Sequence, residues 1–525
     1  MSHSETPEAP NPSPKAPGLL RSSGVVGVMT MLSRVLGLVR DMVIARYFGA
    51  GAGADAFFVA FKIPNFLRRL FAEGAFNQAF VPVLSAYRQN GSISEVRNLV
   101  NAVAGGLGLV LLAVTLVAMV GSPVLTAIFA PGFVGDEVKF ALASDMLRIT
   151  FPYLLLVSLT AFAGAILNSY DRFAVPAFTP VLLNLSMISA AIFLAPLMQE
   201  PIMALAWGVL IAGALQLFFQ LPFLMRLGLL PRPRVDYRHE GVSRILKLMA
   251  PALFGVSVSQ INLLLDTVLA SFLQTGSVSW LYYSDRLSEL PLGVFAIAIG
   301  TVILPNLSRK HAAESKGEFA ATVDWAVRAV LLIGAPAALA LVLLAEPMIA
   351  TLFHYGEVTE RDVMMSAQSL RAYSVGLLAF MLIKVLAPGY FAREDTKTPV
   401  KIGVIAMVAN MVFNLALVVP LAHAGLALAT SLSAWLNATL LWRGLARQGA
   451  WRAQAGAVRF LCQLLAANGV LAAAILYLNE PVQAWLAADG TERAMNMTVL
   501  VVAGVVAYFL ALALVGVRVR HFRRR

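Results

Sequence analysis

Apolar stretches long enough to cross a lipid bilayer recur throughout this chain. There are fourteen of them, each of roughly 20 residues or more. A backbone in hydrocarbon must satisfy its hydrogen bonds internally, so such stretches are typical of membrane-spanning α-helices. Because 59% of the residues are hydrophobic and only 13% are charged, a soluble protein of this size could not bury its apolar surface. The sequence therefore predicts an all-α polytopic membrane protein with 14 transmembrane helices.

The distribution of basic residues predicts the orientation of these helices. The spans are expected near 24–47, 55–86, 99–122, 148–169, 174–195, 203–225, 246–273, 279–307, 325–347, 370–392, 399–420, 424–442, 458–478 and 496–517. Cytoplasmic loops are enriched in Lys and Arg. If the amino end is cytoplasmic, the loops on the opposite side contain only Lys139, Arg361 and Arg493. We therefore predict that both termini are cytoplasmic.

The chain also matches itself at a shift of about 223 residues. Pro82-Val83-Leu84-Ser85 falls on Pro305-Asn306-Leu307-Ser308, and the turn at Tyr170-Asp171-Arg172 falls on Arg393-Glu394-Asp395. A repeat of six helices preserves orientation, so two pseudo-symmetric six-helix lobes are expected, with substrate between them. The last two helices fall outside the repeat.

These features predict five regions. They are a disordered cytoplasmic tail at 1–22, an amino-terminal lobe at 23–228, a basic cytoplasmic linker at 229–245, a carboxyl-terminal lobe at 246–445, and two further helices with a basic tail at 446–525. Five prolines in the first 20 residues indicate that the tail is disordered and is not a signal peptide. The net charge of +12 lies mainly in short loops, so no nucleic-acid partner is expected.

Several arginines lie at membrane depth, where charge is costly and nearly always faces a bundle interior or a wet cavity. Arg34, Arg40 and Arg68 lie inside predicted spans of the first lobe, and Arg286 lies in the second. Guanidinium groups offer forked donors that match phosphate oxygens. This pattern predicts a cationic pocket for a phosphate or diphosphate. The alternative is that some of these groups reach a membrane interface, or that ion pairs only join helices.

Other polar residues in the spans form two further groups. Lys62, Glu73 and Asp285 are near the arginines in sequence, and carboxylates could hold the guanidinium groups while the pocket is empty. A second group is a candidate site for a hard cation, because it offers oxygen ligands; it comprises Asp266, Asn410, Asn414 and Thr430. Ordinary interhelical hydrogen bonding is the simpler interpretation of the second group.

Enzyme and metal motifs are missing from the sequence. There is no HExxH, no Walker loop and no histidine beside a plausible nucleophile. The six histidines are scattered, and Cys462 is the single cysteine, so we expect no catalytic residues and no cofactor beyond a coupling ion.

Five segments resemble the MurJ/MviN family of lipid II flippases, within the multidrug/oligosaccharidyl-lipid/polysaccharide exporter superfamily. They are Ser33–Asp41, Asp55–Asn65, Phe71–Pro82, Trp280–Leu287 and Lys397–Lys401. The resemblance runs from about residue 24 to the end. It implies two six-helix lobes around a central cavity, two extra helices that form a groove for a polyprenyl tail, and a place in the bacterial inner membrane.

The resemblance also implies a function and its residues. The family moves undecaprenyl-pyrophosphoryl-MurNAc-pentapeptide-GlcNAc from the cytoplasmic to the periplasmic leaflet, so lipid II, membrane lipids and cell-wall synthesis or division proteins are the expected partners. Family residues required for function match Arg34, Arg40, Asp55, Arg68 and Arg286, and Ser33, Asn65, Glu73 and Asp285 match positions near them. Sodium ligands of some members match Asp266, Asn410, Asn414 and Thr430, where Asn414 replaces a carboxylate.

Three other functions compete with this expectation. A flippase for another polyprenyl-diphosphate oligosaccharide would share the diphosphate site. A membrane transferase acting on such a lipid would need a carboxylate pair, which only Glu394-Asp395 resembles. A drug antiporter for cations should have an acidic cavity, whereas a basic one is expected here.

Overall fold

A computed structural model describes residues 19–300, 303–312, 315–453 and 456–517, and these ranges contain helices and connections without a strand. Side chains at 19–23, 71–74, 254–260, 263, 296–300, 304–305, 312 and 316 lie outside the description. The α-helices are α1 Leu19–Phe48, α2 Ala52–Leu67, α3 Asn77–Asn90, α4 Ile93–Val120, α5 Ser122–Phe129, α6 Glu137–Thr150, α7 Pro152–Ser169, α8 Ala174–Ser189, α9 Met203–Arg226, α10 Glu240–Ser271, α11 Ser277–Gly300, α12 Ile303–Ala312, α13 Lys316–Leu343, α14 Ala345–Phe353, α15 Glu360–Phe391, α16 Lys397–Arg447, α17 Ala457–Leu478, α18 Val482–Ala487 and α19 Gly490–Leu514.

Nine helical stretches in the described ranges are long and apolar enough to cross a membrane. An all-helical membrane protein was therefore predicted correctly. The predicted spans beyond these nine fall on α1, on α2–α3, on α10 and on α11, and on the second half of α16. Within α16, Ala422 has φ 48°, and this break separates the two spans predicted there. Of the predicted tail at 1–22, residues 1–18 lie outside the described ranges, as do the final residues 518–525, whereas residues 19–22 belong to helix α1, so the tail prediction was wrong at that end.

Some boundaries differ from those predicted. The helix predicted at 246–273 begins at Glu240, so the end of the predicted linker is helical. The rest of the linker packs on α4, where Asn101 accepts hydrogen bonds from the backbone N–H groups of Arg232 and Arg234 at 2.7 and 3.0 Å. A Cβ on Gly105 would lie 2.1 Å from the Arg234 carbonyl oxygen, so this glycine allows the close approach.

The second predicted span, which is too long for a straight crossing, is irregular in the structure. Pro64 lies inside α2, and a π-helix at Arg68–Phe76 separates α2 from α3. Proline removes a backbone donor, and π-helical turns often occur at functional sites. The irregular segment begins with Arg68, one of the predicted pocket residues.

Helix bounds repeat at the shift found in the sequence. The bounds of α4 become those of α13 when 223 is added to both ends. Asp171 and Glu394, also 223 apart, have positive φ values of 60° and 61°. One hydrogen bond is duplicated, because Arg148 Nε donates to the Met119 carbonyl and Arg371 Nε donates to the Val342 carbonyl, both at 3.4 Å. These pairs support the internal duplication.

The apolar core is shared at one end of the molecule and divided at the other. One large cluster joins the two halves of the chain, including Phe58 and Tyr283 in edge contact. A second cluster is confined to the amino-terminal half and α10, around Phe80 and Phe162, and a third to the carboxyl-terminal half, around Val330 and Tyr390. The separate clusters adjoin the loops predicted to be cytoplasmic. The two halves therefore share a core at the opposite end, while α10 packs against the amino-terminal half at the cytoplasmic end.

Candidate functional site

A central cavity of about 330 Å³ lies between the two halves. Its walls come from α1, α2, the π-helix, α8, α10, α11, α15 and α16. Among the predicted site residues that line it are Arg40, Lys62, Asn65, Arg68, Asp266, Asp285, Arg286 and Thr430. Residues almost 400 positions apart in sequence therefore face one space.

Arg40 is the most constrained cation of this cavity. Its side chain is buried, and its Nε and Nη2 donate to Asp41 Oδ1 at 2.9 and 2.7 Å. Its Nη1 donates to Asn184 Oδ1 at 3.0 Å, and its Nη2 also reaches the Tyr282 hydroxyl at 3.0 Å. The partners belong to α1, α8 and α11, so three helices hold one guanidinium group in place. A buried cation requires such compensation.

Asp41 also faces Arg286, from the other half. The Asp41 Oδ2 atom is buried without a hydrogen-bond partner, and Arg286 Nε lies 3.7 Å from it. Arg286 Nη1 donates to Glu289 Oε2 at 2.9 Å, and the guanidinium group lies over the Tyr282 ring, 4.8 Å from its centroid. The side chain of Arg286 remains 31% exposed. Two carboxylates therefore hold the cation while leaving part of it accessible.

A smaller cavity of about 230 Å³ adjoins this pair along α1. Ser33 and Arg34 line it together with Arg40 and Arg286. The Arg34 guanidinium lies against the backbone of α11, where a Cβ on Gly293 would come within 2.0 Å of its Nη1 atom. Arg34 Nε is buried without a hydrogen-bond partner in the described structure. We call this space the α1 cavity.

The α2 segment contributes three further predicted residues. Asn65 Oδ1 accepts a hydrogen bond from Arg68 Nε at 3.2 Å, and the Asn65 amide donates to the Phe61 carbonyl at 2.8 Å. This arrangement directs Arg68 along the cavity wall. Lys62 lines the same wall as the acidic residues of α10 and α11. Glu73 falls on 71–74, whose side chains lie outside the described residues.

The predicted cation ligands do come together. The Asn414 amide donates to Asp266 Oδ1 at 2.8 Å and to Asn410 Oδ1 at 3.0 Å. Thr430 Oγ1 lies 3.5 Å from Asp266 Oδ2. The Asn414 carboxamide oxygen is buried without a partner. No group of three or more His, Cys, Asp or Glu residues in the described ranges could hold a metal, so any ion here would be bound by the single Asp266 carboxylate together with amide and hydroxyl oxygens.

Asp55 is placed differently from the other predicted residues. It is not among the residues that line the two cavities, and it is only 1% exposed. Its carboxylate accepts hydrogen bonds from the Gly276 N–H at 2.7 Å, the Ser279 N–H at 2.9 Å and Ser279 Oγ at 2.7 Å. An anion is favoured at a helix amino terminus. A carboxylate on α2 thus caps α11 of the other half.

Sequence reasoning missed several partners of these residues. Lys139 is buried beside the Asp55 cap, 4.0 Å from the carboxylate, and donates to Thr275 Oγ1 at 2.8 Å. Asn184 and Tyr282 were not identified as partners of Arg40. A polar residue in an apolar span was the available signal for Asn184, and Tyr282 lay in a segment already singled out by resemblance.

Comparisons with known proteins give a consistent result. The family model described as lipid II flippase MurJ matches residues 44–496. A Vibrio cholerae protein named probable lipid II flippase MurJ is 52% identical over 512 residues, which cover 96% of this chain and 98% of the relative. A Haemophilus influenzae protein of the same name is 53% identical over 506 residues, covering 94% and 99%.

A solved structure titled lipid II flippase MurJ, inward closed conformation, has the same fold. Its TM-score is 0.78 at 24% sequence identity, and the match covers 93% of this chain and 98% of that one.

Proposed function

The chain belongs to the MurJ family of lipid II flippases, and we propose that it moves lipid II by alternating access, with the diphosphate held by arginines of the central and α1 cavities. It is a multi-pass protein of the bacterial inner membrane. Its relatives are transporters, and the reaction changes the leaflet in which the lipid resides without altering its covalent bonds.

Diphosphate binding follows from the way the cations are held. Arg40 and Arg286 are both held by Asp41, and Glu289 adds a second partner to Arg286. An arriving diphosphate offers each guanidinium group a stronger, forked acceptor where water is scarce. Arg34 of α1 and Arg68 of the π-helix would bind further phosphate oxygens, with Ser33, Asn65 and Lys62 beside them. The Asp285 carboxylate offsets part of the positive charge in the same wall.

Fourteen spans with both termini in the cytoplasm are the topology that this proposal requires. The nine apolar stretches, the charged helices α1, α2–α3, α10 and α11, and the break at Ala422 support that count. The lobes are then 23–228 and 246–445, with 229–245 between them and 446–525 after them. Cell-wall synthesis and division proteins stay the predicted protein partners.

The conformation fits access from the cytoplasm. The Asp55 cap on α11 and the shared apolar cluster close the end opposite the predicted cytoplasmic loops. At the cytoplasmic end the carboxyl-terminal core contains no amino-terminal residue, and the amino-terminal core includes α10 of the other half, so we infer that the halves separate there around α10. Lipid II would enter from this side, and release to the periplasm would require the Asp55 cap to break. Asp55 is therefore assigned a gating role in place of direct substrate contact.

Resetting of the empty transporter could use sodium or the membrane potential. Asp266, Asn410, Asn414 and Thr430 offer oxygen ligands to Na⁺ if the Asn414 amide rotates. The membrane potential would instead act on the net charge of the cavity. The two routes differ in their need for external sodium.

The observation that carries the proposal is the meeting of Arg40 and Arg286, from opposite halves, at Asp41. Arg286→Ala should weaken binding of undecaprenyl diphosphate about 10- to 100-fold, as expected for losing charged hydrogen bonds, and should abolish lipid II flipping in proteoliposomes. Arg286→Lys should restore binding only partly, because it lacks the fork. Arg148→Ala, which removes a half-exposed arginine outside the cavities, is the matched control. Flipping by Arg286→Ala at the wild-type rate would disprove the assignment.

A further inference from the structure

A further cavity, with a volume of about 640 Å³, lies inside the amino-terminal half. It is lined by the π-helix, α3, α7, α8 and α9, and extends to Ser169 and Phe173 at the predicted cytoplasmic turn. Arg68 and Leu183 line both this space and the central cavity. The two cavities therefore meet at a residue already assigned to the diphosphate. We call this space the amino-terminal cavity.

Two buried glutamines on α9 line it with unused acceptors. Gln216 and Gln220 are 3% and 1% exposed. Their amide nitrogens donate to the carbonyls of Thr179 at 2.8 Å and Thr160 at 3.1 Å, so the orientation of each carboxamide is set. The Oε1 atoms of both glutamines have no partner in the described structure. Both oxygens are buried in the cavity wall, and leaving such an acceptor unsatisfied costs about 1–3 kcal/mol. A small adjustment of the wall that brings a donor from an occupant to these oxygens is therefore favoured.

The charge of the lining narrows the class of occupant. Of the described residues around the amino-terminal cavity, Arg68 is the only charged one, and the polar remainder consists of amides and hydroxyls. The volume is in the usual range for small-molecule sites. An uncharged group rich in hydroxyl and amide donors, joined to an anion that reaches Arg68, matches this lining.

We propose that the amino-terminal cavity is the subsite for the carbohydrate attached to the diphosphate. This inference rests on the proposed function, since it takes the diphosphate to lie in the central cavity. With the diphosphate on Arg68, the sugar bonded to it enters the adjoining space and donates hydroxyl and amide hydrogens to Gln216 and Gln220. The transporter then distinguishes the loaded lipid from the bare polyprenyl diphosphate.

Thiol protection tests this placement with small substitutions. In a Cys462→Ser background, Ala161→Cys places a thiol on the wall of the amino-terminal cavity and Leu264→Cys places one on the wall of the central cavity. Lipid II should slow maleimide labelling of both thiols several-fold. Undecaprenyl diphosphate, which lacks the sugars, should protect only Leu264→Cys. The absence of labelling at Ala161→Cys in lipid-free protein, or equal protection by the two lipids, would overturn the inference.

The same experiment separates this inference from the proposed function. If neither lipid protects Leu264→Cys, the central diphosphate site itself is wrong. If lipid II protects Leu264→Cys and leaves Ala161→Cys unprotected, only the carbohydrate subsite is wrong.

Filling the cavity provides a second test by affinity. Ala161→Leu should weaken lipid II binding at least several-fold and leave undecaprenyl diphosphate binding unchanged, because the added side chain occupies sugar space. Arg286→Ala should weaken binding of both lipids. Retention of the wild-type melting temperature establishes that Ala161→Leu is folded. If folded Ala161→Leu binds lipid II as tightly as the wild type, the carbohydrate does not occupy this cavity. The same conclusion follows if its affinities for lipid II and for undecaprenyl diphosphate fall by equal factors.

Discussion

Asp41 places one buried negative charge between two arginines that come from opposite halves of the protein. Asp41→Asn keeps the size and removes the charge, so Arg40 and Arg286 should repel each other in the empty protein. We expect a lower melting temperature without ligand and a larger stabilisation by undecaprenyl diphosphate than in the wild type, because the ligand supplies the missing negative charge. Thermal unfolding with and without the lipid measures both effects.

The control for this substitution is Asp145→Asn, which removes an exposed carboxylate paired with Arg148 on α6. It should change neither the melting temperature nor the shift produced by the lipid. An equal lipid-induced shift in Asp41→Asn and the wild type would contradict the role given to Asp41.

Functional residues were predictable from sequence where a charged side chain lies in an apolar span, because the energetic cost of that placement is evident from the neighbouring residues alone. Arg34, Arg40 and Arg286 interrupt apolar spans, and such a charge indicates a cavity wherever it occurs. Their partners were not predictable, because Asn184 lies 144 positions and Tyr282 lies 242 positions from Arg40. Helical periodicity shows which residues share a face, but which helix packs against that face depends on the whole fold.

Helix α11 begins under the Asp55 carboxylate of α2, so under the proposed alternating access this cap joins elements that have to separate. Asp55→Asn removes the charge that favours the helix amino terminus, a contribution of about 0.3–2 kcal/mol. The population should shift toward opening at the predicted periplasmic end. Spin labels can be attached at the exposed positions Glu200 and Phe272. Double electron–electron resonance between these labels should show an additional population at longer distance.

Asp136→Asn is the matched control for the Asp55 cap. Asp136 caps α6 within its own half by accepting from the Lys139 N–H at 3.0 Å, so its loss should leave the distance distribution unchanged. Identical distributions in Asp55→Asn and the wild type would show that the cap does not hold the two halves closed.

Helices were predictable where their hydrophobic pattern is periodic or where the same pattern recurs in the other half of the chain. The shift of 223 residues relates the bounds of α4 and α13 as well as the turns at Asp171 and Glu394. The start of α10 was wrong by six residues, because its first turns are amphipathic and bury Val242 and Ile245 against the amino-terminal half. The π-helix at Arg68–Phe76 has no sequence signal beyond the nearby Pro64.

The whole molecule combines a core that is shared at one end with cores that are separate at the other. Apolar packing between the halves holds the shared end together, and a polar, charged cavity occupies the middle. The sequence predicted two halves, but it contained no information on which end is closed.

The charge of the central and α1 cavities makes the empty transporter sensitive to voltage. Six basic and four acidic described side chains line them, a surplus of two positive charges that the diphosphate would offset. One charge that crosses the full field is worth about 2.3 kcal/mol per 100 mV. A potential that is negative inside should therefore draw the empty cavity back toward the cytoplasm.

In proteoliposomes clamped with potassium and valinomycin, lipid II turnover should rise with this potential. Arg69 and Glu289 both line the central cavity. Arg69→Gln should flatten the voltage dependence and Glu289→Gln should steepen it, because the two substitutions change the surplus of positive charge in opposite directions. Turnover that is sustained at zero potential by a sodium gradient alone, with both variants unchanged in slope, would assign the reset to the Asp266 site.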